Sequence, residues 1–89
     1  MAEVRAAIDG IDRKLVALIA ERLHCIDEAA RIKARRVQVR DEARIADVLA
    51  KTRAEADRLG CDPAVVEAAY RALIEASIGH EYAAFDRKR

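Results

Sequence analysis

One stretch constrains this chain more than any other. Glu3 to Arg35 runs for about 33 residues without a proline, and its single glycine, Gly10, does not interrupt the pattern. Apolar residues recur along it as Val4, Ile8, Ile11, Leu15, Leu18, Cys25 and Ala29. Steps of three and four residues describe a helix with one apolar seam. At about 1.5 Å per residue such a helix is roughly 50 Å long. A compact domain of 89 residues has a radius of gyration near 12 Å, hence a diameter of roughly 30 Å. The helix therefore outruns anything its own chain can cover, and the seam continues into the overhang. A long uncovered seam predicts a second copy packed along it, an intertwined homodimer. A bend near Gly10 is the alternative that would shorten the rod.

The rest of the chain also reads as helix. Residues 34–40 lose the helical period, and Val37 and Val39 alternate with polar neighbours, which predicts an extended linker. Asp41 is placed to cap a second helix, with Glu42 in its first turn. That helix runs to Leu59 with a stripe of Ile45, Val48, Leu49, Ala56 and Leu59, and Thr52 on the same line. Gly60 is a left-handed cap. Asp62 followed by Pro63 opens a third helix, which runs to about Phe85 with Val66, Tyr70, Leu73, Ser77 and Glu81 on one face. The last four residues, Asp86 to Arg89, read as a frayed tail. The expectation is a single all-α domain over residues 1–89, a three-helix subunit with a long first helix.

Composition narrows the function. Seventeen Lys and Arg oppose sixteen Asp and Glu, a net charge of +1, so no overall field draws nucleic acid or an anionic membrane surface. No apolar run approaches the ~20 residues of a membrane span. The first ten residues lack the apolar core of a signal peptide. Cys25 and Cys61 fit no metal spacing, and two cysteines in a helical domain suggest reduced thiols, so the expected location is cytoplasmic. His24 and His80 have no ligand set around them, and no metal site is expected. There is no glycine-rich phosphate loop. The basic run from Lys33 to Arg36 could touch a phosphate backbone, but without net charge or a recognition-helix pattern nucleic-acid binding is not expected.

The seam contains two cations. Arg22 fills its one gap, and Lys33 lies one turn past Ala29. Eleven residues make three turns plus roughly 20°, so both side chains point the same way, with Cα atoms about 16 Å apart. A cation in an apolar seam is costly unless something pairs with it. Either the two snorkel to the surface or pair with carboxylates of the other helices, or they hold an anionic ligand between them. Arg5 lies about 100° off that face. It pairs with Asp9 or Asp12, or it reaches a partner's site in a dimer. Ser77 and Glu81 interrupt the apolar face of helix three, one turn apart, and Glu81 is the carboxylate best placed for burial beside the cations. Asp41 and Arg44 add a cap or a hydroxyl contact, and another surface or ligand-binding cation.

A pocket of several cations with a carboxyl and a hydroxyl suits a small dianion. The stretches VRAAIDGIDRKLVALIAER, Lys33, VRDEAR and ALIEASIGHE, in this order and spacing, resemble the all-helical class of chorismate mutases. They also resemble that class's relatives, the isochorismate pyruvate lyases. The likeness covers nearly the whole chain. It implies a homodimer in which Arg22 and the partner's Arg5 hold the two substrate carboxylates. Lys33 would donate to the ether oxygen, with Glu81 opposite it. Asp41 would contact the ring hydroxyl, Arg44 would assist at a carboxylate, and Ser77 would support carboxylate binding. The implied reaction is the rearrangement of chorismate to prephenate, with no cofactor. The alternatives are isochorismate pyruvate lyase activity, giving salicylate and pyruvate, and a non-catalytic dimeric helical interaction module.

Two positions depart from the common pattern. Many relatives carry Gln where this chain has Glu81. A carboxyl donates a hydrogen bond only when protonated, which predicts an acidic activity optimum. Ile45 stands where many mutases have Glu, and an apolar residue there resembles the lyase branch, whereas VRD at 39–41 is more mutase-like.

Overall fold

The computed structural model describes residues 1–88, which form three α-helices and one short turn of 3-10 helix. Helix α1 spans Ala2–Ile32, the 3-10 turn Arg36–Gln38, α2 Glu42–Leu59 and α3 Pro63–Arg87. No strand occurs among the described residues. Helix α3 is central: α1 packs on one side of it and α2 on another, while α1 and α2 do not pack on each other. The open angle between α1 and α2, floored by α3, is what creates space for a site.

Local chemistry sets most boundaries. The Asp41 carboxylate accepts from the Arg44 backbone N–H at 3.0 Å and starts α2. Gly60 takes φ 68, the left-handed conformation that costs a residue without Cβ little, and α2 ends there. Asp62 caps α3 through the Ala64 N–H at 3.0 Å, with Pro63 in its first turn. All three features are legible in the sequence.

The first helix ends three residues before the expected Arg35. A continuing helix would direct the N–H groups of Ala34 and Arg35 to the carbonyls of Ala30 and Arg31. Both amides turn instead to the Gln38 side-chain oxygen, at 3.0 and 2.8 Å. The carbonyls they leave are taken by the Lys88 ammonium, at 2.7 Å from Ala30 O and 3.2 Å from Arg31 O. The expected extended linker is therefore a hydrogen-bonded turn. The alternation of its two valines still has meaning: Val39 is buried and Val37 is exposed.

The expected frayed tail is also corrected. Helix α3 continues through Arg87. Arg36 forms an ion pair with Asp86 at 3.0 Å and lies 4.3 Å from the Tyr82 ring centroid. Phe85 is the centre of a small core with Ala30 and Val39, flanked by Ile78, Tyr82 and Ala84. Burying a phenyl ring contributes about 1.5–3 kcal/mol, which with the Arg36–Asp86 pair helps offset the entropy lost by ordering the segment. Arg89 lies outside the described residues.

Helix α1 runs unbroken through Gly10, so the bend that would have shortened it does not occur. Its 31 residues span roughly 46 Å at the helical rise, and the molecule measures 50 × 25 × 15 Å. The radius of gyration is 15.5 Å, well above the ~12 Å of a compact chain of this length. Val4, Ile8, Ile11, Leu15 and Leu18, the first five seam positions, remain 49–58% exposed.

Candidate active site

A cavity lies where the three helices diverge. Its volume is about 470 Å³, within the ~300–1,000 Å³ typical of small-molecule sites. Helix α1 contributes one wall with Arg22, Cys25, Ile26 and Ala29, and Lys33 at the exit of the helix. The opposite wall is Val39, Asp41, Arg44, Ile45 and Val48, and the floor is Ile74, Ser77, Ile78 and Glu81 of α3. The C-terminal half of the seam thus faces a cavity with two cations set into an apolar lining.

Arg22 is half-buried. Its Nη1 donates to the Ser77 Oγ at 2.9 Å. Ser77 is 3% exposed and donates its own hydrogen to the Leu73 carbonyl one turn earlier, at 2.7 Å. A hydroxyl has one hydrogen, so Ser77 presents a lone pair to Arg22 and holds the guanidinium in place. Arg22 has no carboxylate partner among the described residues. Snorkelling away or pairing with a helix-three carboxylate, the alternatives open at the sequence level, is not what this residue does.

Lys33 does pair. Its Nζ lies 2.6 Å from Glu81 Oε2. The glutamate is 4% exposed, and a carboxylate so far from water requires such a partner. Lys33 is the first residue beyond the helix, with φ −63 and ψ 136. Its N–H still bonds to Ala29 O at 3.0 Å, so its Cα completes the last helical step. The three-turn relation to Arg22 therefore holds, at about 16 Å.

Asp41 and Arg44 line the rim and are exposed. The Asp41 side chain is engaged as the α2 cap. The Arg44 guanidinium meets Asp47 Oδ2 at 2.7 Å. Hydrogen bonds from Lys51 and then Arg44 hold the Asp47 carboxyl below the usual carboxylate range. Arg44 is thus a rim cation with a carboxylate already beside it, whereas Arg22 is not.

Arg5 is not part of this cavity. Seventeen residues of continuous helix put it about 25 Å from Arg22, beyond side-chain reach. It forms no ion pair with Asp9 or Asp12, so the local role open to it in the sequence is unused.

Sequence reasoning missed several lining groups. Ile74 and Ile78 were absent from the expected face of α3. That helix is packed by α1 on one side and α2 on another, so its apolar residues form no single stripe. Val39 was assigned to a linker, although its alternation with Val37 was the available signal. Among the described residues no three His, Cys, Asp or Glu side chains gather as a metal site, and no helix is long and apolar enough to cross a membrane.

The family model for chorismate mutase type II matches residues 4–82. The match takes in α1, the turn, α2 and α3 as far as Tyr82, with every group set into the cavity, and stops before Phe85 and Lys88. With most of its length matched, this chain belongs to the chorismate mutase type II family.

Proposed function

We propose that this protein is a chorismate mutase, rearranging chorismate to prephenate in the cavity between α1, α2 and α3. The observation that carries this reading is the placement of Arg22 and Lys33 on one wall, with buried Glu81 against Lys33. The Arg22 guanidinium, without a carboxylate partner among the described residues, presents a fork suited to a substrate carboxylate. Lys33 reaches the ether oxygen between the ring and the enolpyruvyl arm, and Glu81 faces it from α3. Asp41 and Arg44 at the rim serve the ring hydroxyl and a carboxylate, and Ser77 supports carboxylate binding by holding Arg22.

The chemistry follows from those groups. In a [3,3] rearrangement the carbon–oxygen bond breaks ahead of carbon–carbon bond formation, so negative charge develops on the ether oxygen. Donors already aimed at that oxygen stabilise the transition state more than the ground state, typically by about 3–4 kcal/mol each. Clamping the flexible arm over the ring supplies much of the remainder. No proton needs to leave the substrate and no covalent intermediate forms.

Charge bookkeeping supports a second copy. The lining holds three cations, Arg22, Lys33 and Arg44, and two carboxylates, Asp41 and Glu81: three minus two leaves +1 when both acids are ionised. A dianion needs one more positive charge. The partner's Arg5, carried on an overhanging helix with an exposed apolar seam, would supply it in an intertwined homodimer.

Isochorismate pyruvate lyase activity is the second reading. The observation favouring it is Ile45 on the cavity wall, an apolar group where many mutases have Glu. Initial rates on chorismate and isochorismate across pH 4.5–8.5 test both. Faster turnover of chorismate is expected. Preference for isochorismate would transfer the assignment to the lyase. Turnover of neither would leave a non-catalytic helical interaction module.

A further inference from the structure

The end of α3 makes a contact that the chemistry above leaves unused. The Lys88 Nζ donates to Ala30 O at 2.7 Å, Arg31 O at 3.2 Å and Lys33 O at 2.6 Å, and lies 4.2 Å from the Phe85 ring centroid. The last carbonyls of a helix lack intrahelical partners and carry the negative end of its dipole. An ammonium with three N–H groups matches them in number and charge. Lys88 on the carbonyls and Gln38 on the displaced amides together stop α1 at Ile32. Where α1 stops decides where Lys33 begins.

Lys33 needs external restraint. Its extended ψ takes it out of the helix, and its side chain is long. Glu81 and Lys88 lie seven residues apart on α3, so they share a face about 10 Å apart along the helix. Through them α3 grips residue 33 twice: Glu81 holds the ammonium and Lys88 holds the carbonyl. A ligand that engages the ammonium competes with the first grip and leaves the second intact.

We infer that Lys88 is a positioning residue for Lys33, keeping its ammonium aimed into the cavity while substrate replaces Glu81 as its partner. Lys88 does not line the cavity and acts only through the main chain of residue 33 and the last turn of α1. It lies beyond the family-matched stretch. The inference rests on the reading of Lys33 as the donor to the substrate ether oxygen.

The test compares the full-length parent with Lys88→Met, which keeps the apolar stem over Phe85 but removes the ammonium, and Lys88→Arg, which restores a cationic donor. Two readouts are needed. Amide hydrogen exchange in the substrate-free protein should show the Lys33 amide losing protection about tenfold or more in Lys88→Met, because the local opening it reports is then easier. Amides in the middle of α1 should be unchanged, and Lys88→Arg should recover protection. Steady-state kinetics on chorismate should show kcat lowered about tenfold in Lys88→Met with KM nearly unchanged, since a small misplacement of a transition-state donor has effects of that order or larger. Lys88→Arg should again recover it. Unchanged exchange at Lys33 in Lys88→Met overturns the inference. So does a loss of kcat that tracks global unfolding and is not recovered by Lys88→Arg. A parent that turns over neither substrate defeats the functional reading instead, and the exchange experiment then decides whether Lys88 positions residue 33.

Discussion

From Arg22 to Lys33, α1 bonds to α3 and walls a cavity; from Val4 to Leu18 the same helix carries the same apolar spacing with its seam residues 49–58% exposed. The difference is one of surroundings. In the C-terminal half, the seam positions are interrupted by Arg22 and Lys33, and each interruption is met by a group on α3: Ser77 for one, Glu81 for the other. In the N-terminal half, the seam is uninterrupted and unmet. Polar intruders in the packed half line a cavity. Clean periodicity in the bare half leaves an exposed apolar stripe. An apolar stripe alone does not say which of the two it is. The residues that break it do.

The largest effect should come from breaking the packed half. Lys33→Ala is expected to lower kcat about 10²–10³-fold, the usual consequence of removing one preorganised donor, when assayed under conditions where circular dichroism shows the variant folded, since Glu81 loses its partner. A comparable loss is expected for Arg22→Ala, shared between kcat and KM because a carboxylate clamp acts before and during reaction. Steady-state kinetics check both, and near-parental activity in either would remove that residue from the site.

Next is the core beneath the cavity. Phe85→Ala should lower stability by about 3–5 kcal/mol, read from denaturant midpoints compared with the parent at one protein concentration, since a dimer's midpoint shifts with concentration. In the bare half the signature differs. Ile11→Asp should leave the α1–α3 packing intact but shift sedimentation from dimer to monomer at micromolar concentration, since a charge would enter a seam that needs apolar contact. If Ile11→Asp sediments like the parent, the overhang is not the dimer surface.

A smaller effect is expected at Glu81. Glu81→Gln puts an amide donor where the carboxylate only accepts, so its kcat on chorismate should exceed the parent's by about tenfold. A kcat equal to or below the parent's would show that a donor at position 81 does not assist the reaction.

The smallest concerns the tether between the start of α2 and α3. Arg40 meets both Glu75 oxygens, at 2.9 and 3.0 Å, and holds the Glu75 carboxyl below its usual range. A carboxyl depressed on folding contributes stability above the ordinary carboxylate range and loses it as pH falls through its folded value. Thermal midpoints of the parent should therefore fall slightly more steeply below pH 5 than those of Arg40→Ala. The pair is solvated, so the difference is small.

Much of this was legible in the residues. Asp41, Gly60, Asp62 and Pro63 mark their boundaries through local chemistry, and the spacing of Arg22 and Lys33 sets their common direction. What was not legible depended on distant partners. The end of α1 is decided by Gln38 and Lys88, the second of them on another helix. The order of the C-terminal segment comes from Phe85 and Asp86 meeting Ala30, Val39 and Arg36. Ile74 and Ile78 were hidden because a central helix buries more than one face. Arg5 had a local role open to it, an ion pair with Asp9 or Asp12, and that pair does not form.

The central claim is that the bare half of α1 completes a site on a second copy. Co-refolding equal amounts of Arg5→Ala and Lys33→Ala, each nearly inactive alone, tests it most directly. If each site takes Lys33 from one subunit and Arg5 from the other, half of the dimers are mixed and one site in each is intact, restoring about a quarter of parental activity. A mixture no more active than the sum of the two variants would contradict the claim.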